Sequence, residues 1–176
     1  MYMGKWTRSS IIYTICNVFV FGATGYFLIH FYKEGAYTME DGLIHLFYGF
    51  AIAFLLLPVH EFIHVLAYKS QGAKHTSYDA NLKKFYFLAV ADKFVASKKE
   101  FQMVALAPIV VISSVLLVTL FFTDPDWTMT VLGVLLVHTA FCSGDFGMLS
   151  YFDFHKDKDI VTYDDKAGRV TYFYGK

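Results

Sequence analysis

Charge is scarce in this chain, and where it occurs it is crowded. Asp, Glu, Lys and Arg make up only 17% of the residues, the two signs cancel at 15 each, and they gather in short stretches. A net charge of zero provides neither a basic face for nucleic acid nor an acidic one for a cationic partner, so no nucleic-acid role is expected. Cysteine is nearly absent too. Cys16 and Cys142 both lie inside apolar runs, where packing is the expected role rather than a disulfide or a reactive thiol. No internal repeat or low-complexity segment divides the chain into modules.

What the sequence has in quantity is apolar surface: 56% of its residues are hydrophobic and 19% aromatic, a membrane-protein composition. Crossing a hydrocarbon core takes about 20 consecutive apolar residues. Four stretches qualify, at about 10–32, 42–68, 101–122 and 127–144. The first is too long for the apolar region of a signal peptide and has no small-residue cleavage site after it, so it reads as a retained helix. Punctuation marks the other three starts: Thr38 with Asp41, the capping box Ser97-Lys98-Lys99-Glu100, and Asp124 followed by Pro125 at the first helical position.

Lys and Arg set the orientation. Lys5 and Arg8 precede the first span, seven lysines from Lys69 to Lys99 separate the second and third, and Lys156, Lys158, Lys166, Arg169 and Lys176 follow the fourth. The loop between spans one and two has Lys33 against three acids, and Thr123-Asp124-Pro125-Asp126 has no base. Both termini are therefore expected in the cytoplasm. Two polar segments read as β-hairpins on that side: Lys84–Val90 with Lys93–Ala96, and Ile160–Tyr163 with Arg169–Tyr174. The fold class is an α-helical integral membrane protein with about four transmembrane helices, small cytoplasmic β-hairpins and a β-rich tail over 151–176.

Near the end of span two lies His60-Glu61-Phe62-Ile63-His64, an H-E-x-x-H motif. Histidines four apart share a helical face and can clamp one Zn²⁺, while Glu61 between them is placed to take a proton from a water on that metal. Ionisable groups in an apolar run are costly in lipid and point to a functional site. At a rise of about 1.5 Å per residue from Gly42, the motif reaches the cytoplasmic boundary near Glu61.

Catalytic zinc usually has three protein ligands, and the motif supplies two. The extended H-E-x-x-H-x-x-G-x-x-H pattern is missing, because Ala67 and Ser70 stand where Gly and His would fall. Glu100 is one candidate, though the capping box already gives it work. Asp145 is another: it lies seven residues after His138 on one helical face, at the depth of the motif, and reads either as the third ligand or as an interfacial aspartate ending a helix. His138, about 10 Å deeper, reads as a transition-state hydrogen bonder, an alternative ligand or a buried histidine satisfied by a neighbouring helix. His30, His45, His75 and His155 are assigned to interfaces or loops.

These residues resemble the site-2 protease type of intramembrane metalloprotease and, more closely, the putative zincin peptidase family of small membrane proteins. On that resemblance His60, Glu61 and His64 match the metal-binding helix, Asp145 in Ser143-Gly144-Asp145-Phe146-Gly147 matches the aspartate of the next helix but one, and Ala105-Leu106-Ala107-Pro108 matches a small-residue and proline element. The resemblance spans roughly Leu56 to Phe152. The aspartate lacks the L-D-G context of the better-known enzymes. Asn17 and Asn81 are the only asparagines, and neither lies on span four to polarise a scissile carbonyl.

The chain thus reads as one membrane-embedded metalloprotease-like domain over 1–176, with Zn²⁺ on His60, His64 and Asp145, Glu61 as general base and His138 as a further catalytic candidate. Its expected partners are the lipid bilayer and a membrane protein or peptide substrate, and its expected place is a bacterial cell membrane. A zinc-stapled scaffold or degenerate protease is the competing reading. A metal transporter is disfavoured because spans one and three carry almost no polar groups along a path.

Overall fold

The computed structural model describes residues 6–81, 86–168 and 170–175. Lys84 and Phe85, expected to open the first hairpin, and Arg169, expected to open the last strand, lie outside the described residues, as do Lys5, Lys83 and Lys176. The chain runs α1 (Arg8–Lys33), α2 (Met39–Ser70), β1 (Thr76–Asn81), β2 (Tyr86–Ala91), β3 (Val95–Ser97), α3 (Lys98–Leu120), α4 (Pro125–Phe141), α5 (Ser143–Phe154), β4 (Ile160–Asp165) and β5 (Val170–Gly175). It is mostly helical, with two small sheets, and four of its helical stretches are long and apolar enough to cross a membrane: Arg8–Lys33, Met39–Ser70, Lys98–Leu120 and Trp127–Phe154.

The last of these extends past the expected end at 144. Cys142 caps α4 with ψ near 0°, and α5 restarts at Ser143 because Phe146, Leu149 and Phe152 recur at helical spacing and bury one face. The tail therefore begins as helix, and its strands start only at Ile160. Two capping boxes form as expected. Asp41 Oδ2 accepts the Thr38 hydroxyl at 2.6 Å, and Glu100 Oε2 accepts the Ser97 N–H at 2.8 Å. Asp124 is the cap residue before Pro125, but its side chain makes no capping bond.

The contacts divide the chain into two compact units. One comprises Ser10–Leu56 and Ile109–Gly144. Inside it α2 meets α4 at Gly49 and Gly133, where a Cβ on Gly133 would lie 2.5 Å from the Leu46 carbonyl oxygen and 3.2 Å from the Gly49 Cα. Only glycine lets the backbones come that close. Beside the crossing, Tyr37, Met129 and Leu132 form a buried cluster, and His45 Nδ1 lies 3.1 Å from Thr130 Oγ1. Large apolar side chains such as Phe19, Phe21, Leu55, Phe121 and Phe122 stay exposed.

The other unit comprises Met1–Ser9, Leu57–Pro108 and Asp145–Lys176. Its sheets are β1-β2 and β3-β4-β5, all antiparallel. The second expected hairpin is present as β4-β5. The first is re-paired: β2 pairs with β1, in register Tyr78↔Ala89, and β3 pairs with β4, in register Ala96↔Thr162. β1, Thr-Ser-Tyr-Asp-Ala-Asn, alternates too weakly in polarity to announce a strand. After β2, a turn closed by Phe94 N–H on the Ala91 carbonyl, with Lys93 at φ 60°, sends the chain away from β2 toward the tail. Phe152 of α5 joins the sheet to α3, packing on Phe173 and Phe101. Ser9 and Lys98, at the starts of α1 and α3, both bind Asp153 near the end of α5, at 2.6 and 3.5 Å.

Candidate metal centre

Pro58 lies inside α2; His60, two residues on, and His64, one turn beyond His60, are both buried and share one face. Asp145, in the first turn of α5, is buried with them at 7% exposure. Their donor groups converge: His60 Nε2 to His64 Nε2 is 3.2 Å, His60 Nε2 to Asp145 Oδ2 is 3.3 Å, and His64 Nε2 to the other carboxylate oxygen, Asp145 Oδ1, is 3.2 Å. Tetrahedral zinc with bonds of roughly 2.0–2.1 Å holds its ligands about 3.3 Å apart, so the spacings are of the right size.

Proton accounting points the same way. His64 Nδ1 lies 3.0 Å from the Val104 carbonyl oxygen. A carbonyl only accepts, so Nδ1 carries a hydrogen, and in its neutral form His64 turns the Nε2 lone pair toward Asp145 and His60, as a metal ligand does. A proton on Nε2 would satisfy one contact; a divalent metal among the three groups would satisfy all of them. The Nδ1–H to carbonyl bond is also the orienting contact that metal-ligating histidines usually make. The residues therefore fit the metal that the motif implies.

Glu61 is the fourth member of the site, and its carboxylate is held from another side. Its Oε2 accepts the Ala89 N–H at 3.0 Å. Two residues along the same edge of β2, the Ala91 N–H is accepted by Asp164 Oδ2 at 3.2 Å. Two carboxylates thus cap alternate donors on the outer edge of β2. Asp164 is well anchored: its Oδ1 accepts the Thr171 hydroxyl at 2.8 Å, its carbonyl accepts the Lys93 N–H at 3.3 Å, and the Tyr68 hydroxyl faces its carboxylate. Beneath these contacts Tyr68, Ala73, Ala91 and Val104 form one buried cluster. Across the hairpin from Ala89, desolvation followed by the charge of Glu61 pushes the Tyr78 phenol up.

The structure thus brings together His60, Glu61, His64 and Asp145. Glu100 is occupied by its capping box and is not one of the three donors. His138 belongs to the other unit, where it is buried with Cys142 one turn on, Nε2 and Sγ 3.9 Å apart. Sequence reasoning missed the Ala89 and Ala91 N–H groups, the Val104 carbonyl and Asp164. The first three are main-chain groups and leave no mark in side-chain identity. Asp164 gave no signal either, because with Asp165 it reads as the start of the turn between the last two strands, whereas the structure keeps both in β4.

The chain is mostly helical, and His60, His64 and Asp145 form a buried group that could hold a metal ion. The chain belongs to the family described as "Putative zincin peptidase", whose model matches residues 53–159, more than half of its length and inclusive of all four site residues. No curated protein and no solved structure matches it.

Proposed function

We propose that this protein is a membrane-embedded zinc metallopeptidase that hydrolyses a peptide bond in or near a transmembrane segment of a protein substrate. The observation that carries the reading is the division of labour among four acid and imidazole groups: three converge at 3.2–3.3 Å, while Glu61, next in sequence to one of them, is held apart by the Ala89 N–H. A structural metal site has no use for a non-ligating carboxylate at that position. Family membership and four helices apolar enough to span a bilayer support the same reading.

His60, His64 and Asp145 would hold the metal. When bound, zinc polarises a carbonyl and lowers the pKa of a water toward neutrality. Glu61 accepts the proton of the attacking water as the new C–O bond forms, then delivers it to the amine as the C–N bond breaks. The Ala89 N–H keeps the carboxylate aimed while leaving its second oxygen for that work. We place both termini in the cytoplasm from the lysine distribution. The contacts of Ser9 and Lys98 with Asp153, which set the starts of α1 and α3 beside the end of α5, are consistent with this. The site then opens toward cytoplasmic water, and the substrate is a membrane protein whose bond lies at that boundary.

The test is Glu61→Gln, assayed on the same membrane substrate as wild type with zinc measured in both samples. The variant keeps its shape and its metal but cannot accept a proton, so turnover should fall by about 10²–10⁴-fold. Undiminished turnover in a zinc-replete Glu61→Gln protein sinks the mechanism. A zinc-bound wild type that cleaves no membrane substrate favours the scaffold.

A further inference from the structure

Pro108 lies inside α3, which continues through it from Lys98 to Leu120, and it is among the most fully enclosed side chains in the protein. Proline is the least favourable residue for a helix interior, so its presence here calls for a local reason. In an α-helix the carbonyl of residue i is taken up by the N–H of residue i+4. For Val104 that residue is 108, and proline has no N–H to give. The helix therefore withholds the usual donor from the Val104 oxygen, at a residue only 2% exposed, where water cannot replace it. It is this oxygen that lies 3.0 Å from His64 Nδ1.

We infer that Pro108 is a positioning residue of the metal centre: by supplying no backbone donor, it reserves the Val104 carbonyl for His64 and so fixes which ring nitrogen His64 turns toward Asp145 and His60. The ring and its partner carbonyl lie on different helices, so the bond orients the imidazole and also ties α2 to α3 beside the site. An alanine at 108 would restore the N–H and return the Val104 oxygen to the α3 ladder. His64 would then lose its orienting acceptor and either tautomer would become available. The geometry stands without the metal, but the effect on affinity rests on the metallopeptidase reading.

The experiment compares wild type, Pro108→Ala and a chain carrying lactic acid at 108, the ester analogue of alanine, which lacks the ring and the N–H alike. Zinc affinity is measured by chelator competition, thermal unfolding on metal-free protein, and the protonation state of His64 by ¹⁵N chemical shift. Pro108→Ala should bind zinc about 10–100-fold more weakly, the usual effect of losing an orienting partner. It should unfold no lower than wild type, since a helix-interior proline has been removed, and the ester should recover most of the affinity. A purely packing role for the ring predicts the opposite pair of results, a lowered unfolding temperature and no recovery by the ester, and would overturn the inference. Unchanged zinc affinity in Pro108→Ala would do so too. A wild type that binds no zinc defeats the metal reading instead, and the ¹⁵N signature then decides: loss of the single Nδ1–H form of His64 in Pro108→Ala upholds the positioning role, and its persistence refutes it.

Discussion

Asp145→Ala separates a metal centre from the other arrangement that could place these atoms together, a buried ion pair between an aspartate and protonated histidines. In metal-free protein the same carboxylate faces the same histidines on either reading, so its removal strands any proton they share in a site where His60, His64 and Asp145 are all less than a tenth exposed, at a cost of about 3–5 kcal/mol. Zinc affinity is what tells the readings apart, because an ion pair alone has none to lose. Loss of an orienting partner alone weakens metal sites by 10–100-fold, so loss of a direct ligand should exceed about 100-fold, or about 2.7 kcal/mol. Bare stoichiometry is too blunt a measure, because a tight site can lose that much and still fill at micromolar metal. The assay is therefore competition against a chelator of known affinity, with unfolding of the chelated proteins in the same detergent. An Asp145→Ala protein that competes for zinc as well as wild type refutes Asp145 as a metal ligand.

Other consequences can be checked separately. Gly133→Ala places a Cβ against backbone on the neighbouring helix, so it should cost about 1–3 kcal/mol, read as a lowered unfolding temperature with zinc affinity unchanged. Asp164→Ala leaves the buried Ala91 N–H without its acceptor, at about 1–3 kcal/mol, and should speed hydrogen exchange across 86–92 while the helices stay protected. For topology, with Cys16 and Cys142 replaced, a cysteine introduced at Pro125 should react with a membrane-impermeant reagent from outside intact cells and one at Lys176 should not; the reverse pattern overturns the orientation.

The helices were legible because their signal is local: runs of apolar residues of the right length, with capping boxes whose two bonds form between residues three apart. The convergence of His60, His64 and Asp145 was legible for a related reason, since His60 and His64 share a helical face and Asp145 sits at a computable depth. The strand pairing was not. β3 finds β4 some 66 residues away, and nothing within Val95–Ser97 encodes that partner. The helix α5 was not legible because Asp145 in an apolar run resembles a stop signal, whereas it lies in the first turn of a new helix whose buried face continues to Phe152. Pro108 was visible as a residue, but its link to His64 depends on α2 packing beside α3 and shows only in three dimensions.

The groups that steer this site are largely parts of the polypeptide common to every residue: the amide at 89 on Glu61, the amide at 91 on Asp164 and the carbonyl at 104 on His64. A side-chain scan cannot delete such groups. Replacing Val104 by alanine leaves its oxygen in place, and Ala89 and Ala91 are already alanine. Saturation mutagenesis at 89, 91 and 104 should therefore report tolerance, apart from proline and side chains too large for the buried Ala91 and Val104, even though the main chain there holds Glu61, Asp164 and His64. The side chains at these three positions can change while the contacts they frame stay the same, and a ranking of residues by mutational sensitivity would pass over them.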